Sequence, residues 1–172
     1  MNKKTGISII IILIGVLSLV WWSKSTENVT LSADDLTKSH PARIGGALVA
    51  GETFYDFGTI SMKNGNVSKV FEVINSTSED IKVPSLTTSC MCTKAYFVSV
   101  DGDKKGPFGM PGMAFVPKLN ATIQAGQSAN IEVVYDPNAH GPAGVGVIDR
   151  FVYLEDDNGN NLQFEIKAVV TP

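Results

Sequence analysis

The sequence predicts an all-β domain, an antiparallel β-sandwich, behind one apolar N-terminal helix. Three observations predict it. From residue 52 onward apolar and polar residues alternate with period two, and turn residues interrupt the alternation. Eight short runs of this kind fill the last 120 or so residues, a density that suits a sandwich. After residue 50 no segment keeps a helical period.

The elements follow in chain order. Lys3 and Lys4 precede an almost wholly apolar run over residues 7–22, interrupted by Ser8, Gly15 and Ser18. As a helix it spans about 24 Å, slightly short of a bilayer's ~30 Å hydrocarbon core. Two readings stand: a retained signal anchor, or a signal peptide removed soon after the run. Trp21-Trp22 suits a membrane interface and favours retention. Ser23-Lys24-Ser25 is a poor cleavage site because Lys24 sits inside it. In both readings the two lysines stay cytoplasmic and the rest is exported. The expected location is the inner membrane with the C-terminal domain in the periplasm, or the periplasm or medium after cleavage. Residues 1–23 are thus the anchor or signal, 24–50 a polar tether and 51–172 the sandwich.

Within the sandwich, strands are expected at 53–58, 67–75, 81–88, 95–100, 119–123, 130–135, 147–155 and 161–170. The last is the clearest: Leu162, Phe164, Ile166, Ala168 and Val170 alternate with Gln163, Glu165 and Lys167. Asp157-Asn158-Gly159-Asn160 before it signals a hairpin. Four Asn-x-Ser/Thr triplets begin at Asn28, Asn66, Asn75 and Asn120, and matter only in a glycosylating host.

The only two cysteines stand at Cys90-Met91-Cys92. On an extended strand they share one face and Met91 points the other way, toward the core. Three roles are open to them. They are small buried residues closing the core, a soft-metal pair, or a dithiol that cycles with a disulfide. A bridge between extended residues i and i+2 lies near the ~6.8 Å Cα limit, so it requires the backbone to bend. Alternating strand direction brings Met110, Met113 and His140 to the same end of the sandwich. Thiolate and thioether donors select Cu(I), so the candidate metal set is Cys90, Cys92, Met110, Met113 and His140. Zinc fits less well, because it wants four Cys or His ligands and His40 lies in the tether. Met110 and Met113 are otherwise adaptable packing residues, and His140 an ordinary loop residue.

Other chemistry is missing from the sequence. It has no Gly-x-Ser-x-Gly elbow, no phosphate loop and no His-Glu-x-x-His. Gly144-Val145-Gly146 lacks the third glycine of a dinucleotide site. A net charge of -3 without a basic cluster argues against a nucleic-acid partner. The reading is non-enzymatic and needs no cofactor; Cu(I) is the one ion its residues suit. Its partners are the membrane, through the helix, and a protein.

Five segments carry a resemblance. Tyr55-Asp56-Phe57-Gly58-Thr59-Ile60, Val70-Phe71-Glu72-Val73-Ile74-Asn75 and Ser89-Cys90-Met91-Cys92-Thr93 come first. Gln124-Ala125-Gly126-Gln127 and Ile131-Glu132-Val133-Val134-Tyr135-Asp136 follow. In this order they resemble the bacterial domain-of-unknown-function family 1573, over roughly residues 51–170. The resemblance implies an immunoglobulin-like sandwich related to the major sperm protein and ASH group, in an exported bacterial setting. It implies no activity. Met91 stands where that family often has glycine, and residues 106–117 are an insertion.

Overall fold

The computed structural model describes residues 46–113 and 116–172. The apolar run 7–22, and with it the anchor or signal reading, lies outside the described residues, as does the tether up to residue 45. Among the described residues no helix is long and apolar enough to cross a membrane.

The described chain is all-β with antiparallel sheets, consistent with an immunoglobulin-like sandwich. Its strands are β1 (Leu48–Ala50), β2 (Phe54–Ser61), β3 (Val67–Asn75), β4 (Ile81–Val83), β5 (Ser85–Thr88) and β6 (Thr93–Val98). They continue as β7 (Lys104–Phe108), β8 (Ala121–Ile123), β9 (Ser128–Tyr135), β10 (Gly146–Glu155) and β11 (Asn161–Thr171). One sheet has the order β1-β3-β9-β6-β7, a second β2-β11-β10-β5, and β4 and β8 form a small pair. All pairs are antiparallel except β2 with β11.

Alternation decides which side of each strand is buried. Phe71 and Val73 of β3, Ile131, Val133 and Tyr135 of β9, and Leu162, Phe164, Ile166, Ala168 and Val170 of β11 all turn inward. The rings of Phe71 and Phe164 stack at 4.9 Å, joining the two sheets across the core. Burying aromatic side chains of this size is worth about 1.5–3 kcal/mol each in apolar area alone.

One expectation needs correction. The run 81–88 is two strands, because Pro84 has no N–H to continue a ladder. β4 pairs with β8, and β5 pairs with β10 in the four-stranded sheet. The Pro84 carbonyl instead accepts from Leu119 N–H at 2.9 Å. Asn75, one of the four triplet asparagines, is fully buried. Its amide donates to the carbonyls of Glu79 and Ile123, at 2.7 and 3.0 Å, so it is a structural clamp and no surface acceptor.

Two strands fall outside the expected set. β1 occupies the end of the stretch read as tether and pairs with β3 through Leu48 and Asn75. β7 lies where Gly106-Pro107 signals a turn. Gly106 has φ +131°, and a Cβ there would stand 2.9 Å from the Ala95 carbonyl oxygen. Glycine therefore lets the edge strand approach β6 at the shift in register between Ala95 and Phe97.

Candidate functional site

The chain leaves one sheet and enters the other at the cysteines. β5 ends at Thr88 in the four-stranded sheet, and β6 begins at Thr93 in the five-stranded sheet. The backbone between them turns tightly, with Thr93 N–H donating to the Cys90 carbonyl at 3.1 Å. Both flanks are pinned. Ser89 N–H donates to the Phe151 carbonyl and Asp136 N–H to the Cys92 carbonyl, each at 2.9 Å. The buried Thr88 hydroxyl lies 3.0 Å from the Cys90 carbonyl and 3.1 Å from that of Thr93.

This turn changes the reading of the motif. The cysteines are not on an extended strand, and their Cα atoms are 5.3 Å apart, within bridging range. They form a disulfide. Met91, expected to face the core, sits at the tip of the turn and is 43 % exposed. Cys92 takes the buried place, at 1 % exposed, and Cys90 is half-buried.

Each sulfur has its own nitrogen neighbour. His140 Nε2 lies 3.3 Å from Cys90 Sγ. A disulfide sulfur has no hydrogen to give, so the imidazole N–H donates. Arg150 Nε donates to Cys92 Sγ at 3.3 Å, while its Nη1 donates to the Asp149 carbonyl at 2.8 Å. His140 is carried by the loop after β9, where Asp136 Oδ1 accepts from Asn138 N–H at 2.8 Å. Gly144 lets that loop close: a Cβ there would stand 3.2 Å from the Pro137 carbonyl oxygen and 3.4 Å from His140 Cβ. Arg150 occupies an inward register position of β10, opposite Ile166 and in phase with the buried Ile148, Val152 and Leu154. The same guanidinium acts on Tyr135. Burial pushes the Tyr135 phenol above its ordinary value, Arg150 pulls it down and Asp136 raises it.

Of the five candidate ligands, Cys90, Cys92 and His140 come together, with ligand atoms within 4.8 Å of one another. Met110 and Met113 line a hollow of about 340 Å³ with Met91, Lys94, Pro107, Gly109 and Val116, a lining that includes none of those three. Arg150 is the functional neighbour that the sequence reading missed. Its signal was present: one charge in phase with the apolar row of 147–155.

No family model matches the chain, and no curated protein matches it. Solved structures do. A protein of unknown function from Porphyromonas gingivalis W83 is similar at 15 % identity and a TM-score of 0.52. The match covers 80 % of this chain and 51 % of that one, so this chain spans about half its length. The ASH / PapD-like domain 7 of human CEP192 is similar at 15 % identity and 0.47, over 82 % of this chain and 96 % of that one. WR4, a C. elegans MSP family member, is similar at 4 % identity and 0.41, over 73 % and 99 %. The first likeness shows a shared fold.

Proposed function

We propose that this chain is a divergent member of the domain-of-unknown-function family 1573. In this reading it is an immunoglobulin-like module, non-enzymatic, held at the bacterial inner membrane by its N-terminal helix and exposed to the periplasm. There it binds an extended segment of another exported protein. One observation carries the binding role. β2 has eight residues and lies at a sheet edge, with no strand on its outer side among the described residues. Beside it runs an apolar row on the outer sheet face. Thr59 of β2 pairs with Val169, and Val169 pairs with Val147, which is 80 % exposed. An open edge next to apolar side chains is the surface to which a strand adds, with main-chain bonds for affinity and side chains for choice. Crosslinking in intact envelopes followed by capture of the full chain tests this. A reproducible protein is expected with the parent and is lost with Val147→Lys/Val169→Lys. Absence of any reproducible partner, or equal recovery with the variant, overturns the reading.

A second reading is favoured by the convergence of Cys90, Cys92 and His140. Reduced, the two thiolates and the imidazole form a donor set suited to Cu(I), and the Arg150 cation offsets the negative charge of a bis-thiolate complex. Competition titration of the reduced domain should show tight Cu(I) binding. Equal affinity in Cys90→Ser and Cys92→Ser variants removes this reading.

A further inference from the structure

We infer that the Cys90–Cys92 bond is a disulfide-exchange centre that takes two electrons from a protein or peptide dithiol. Cys90 is the sulfur attacked, and Arg150 stabilises the Cys92 thiolate that leaves. The inference goes beyond both readings above, since it concerns the oxidised pair; a Cu(I) site would use the reduced one.

Three observations point to it. First, the two sulfurs differ in access. Cys92 is sealed, with the buried Thr93 hydroxyl 3.8 Å from its sulfur, whereas Cys90 lies half-buried beside the exposed His140. An incoming thiol therefore reaches Cys90. Second, the sulfur that must leave is the one that Arg150 touches, at 3.3 Å. A guanidinium is always charged, and a thiolate beside one is favoured over a thiolate in an apolar wall. Third, the exposed tip of the same turn is Met91, which lines the hollow with Met110 and Met113. Met91 thus links the disulfide turn to a hollow lined by adaptable thioether side chains, which suits a peptide of varied sequence.

The exchange balances in two steps. A substrate thiolate attacks Cys90 Sγ. The bond between the two protein sulfurs breaks, and its electron pair goes to Cys92 Sγ against the guanidinium. The product is a mixed disulfide between substrate and Cys90. The second substrate thiolate then attacks the substrate sulfur of that bond. Cys90 leaves as a thiolate facing the Nε2–H of His140. Overall the dithiol loses two electrons and becomes a disulfide, and Cys90 and Cys92 gain them. The two protons of the dithiol pass to the new thiolates or to solvent. Because exchange speeds up as the leaving thiolate is stabilised, the Arg150 contact governs the first step.

The test uses the full chain, oxidised and oxygen-free, with dithiothreitol as the dithiol and timed alkylation with mass measurement as the readout. Arg150→Met is expected to slow reduction about tenfold, the scale of one charge-assisted hydrogen bond, and Arg150→Lys to restore most of the rate. Reduction of Arg150→Met at the parent rate overturns the inference. Single-cysteine chains give an independent check should Arg150→Met fail to fold. Cys90, alone in Cys92→Ser, should react with dithiodipyridine at least about tenfold faster than Cys92, alone in Cys90→Ser. Equal or reversed rates overturn it as well.

Discussion

The middle of the sandwich and its cysteine end are built on opposite rules. In the middle, every inward position of β11 is apolar, and the Phe71–Phe164 stack ties the sheets together. At the cysteine end, the corresponding inward position of β10 holds Arg150, facing a sulfur, with a buried phenol nearby. The middle gains stability from burial. The end holds polar groups in set positions around a bond that closes only a short stretch of chain. Stability and chemistry therefore belong to separate places, and a change in one should leave the other largely intact.

The largest expected effect lies in the middle. Phe164→Ala should cost about 3–5 kcal/mol by urea unfolding, through lost burial and the cavity left behind. Its disulfide should still exchange at the parent rate while the chain remains folded. A cost below about 1 kcal/mol would mean that the two sheets do not meet at this ring pair.

A smaller effect is expected at the other end. The Cys90–Cys92 bond has a sequence separation of 2, so it removes little freedom from the unfolded chain. Reducing it should lower stability by about 1–2 kcal/mol, measured as the difference between oxidised and reduced chains in urea. A loss as large as that of Phe164→Ala would recast the bond as a staple and erase the contrast between the two regions.

The smallest effect is alkaline. The folded Tyr135 phenol holds its proton more tightly than the unfolded one, because burial dominates. Its contribution is fully present below the unfolded value near 10 and is lost as pH rises through the folded value. Unfolding free energies at pH 8 and 11 should therefore fall with pH, and fall less in Tyr135→Phe. Equal slopes in parent and variant would show that the phenol is not held as described.

The sequence was legible where patterning is local and repeated. The alternation in 161–170 and 67–75 marks β11 and β3 with hardly any error at either end. It failed where a single tertiary contact decides. β1 has three residues in a Gly/Ala-rich stretch and exists because β3 offers it an edge. β7 carries Gly-Pro, which reads locally as a turn and is tolerated only at an edge. The turn at Cys90 contains no Gly, Pro or Asn to announce it. It forms because Ser89 N–H donates to the Phe151 carbonyl on one side and the Cys92 carbonyl accepts from Asp136 N–H on the other. Strand parity was enough to bring His140 to the cysteines. It was not enough to separate the methionine hollow from them, because parity reports which end a residue occupies and not which side of that end.

The two long margins of the sheets are finished differently, and this limits how the molecule associates. β7 exposes Lys104, Lys105 and Pro107, which deter a neighbouring strand, and Lys104 is held by Glu132 at 2.6 Å. β2 presents eight residues with no Lys or Pro, and its guards are Asp56 and the shift in register beside Gly58. A fibre stacked through these two edges needs both to be receptive, and β7 is the one that refuses. Among the described residues the fold thus pairs one long, lightly guarded edge with one guarded by charge and proline, which disfavours stacking of copies through these two strands.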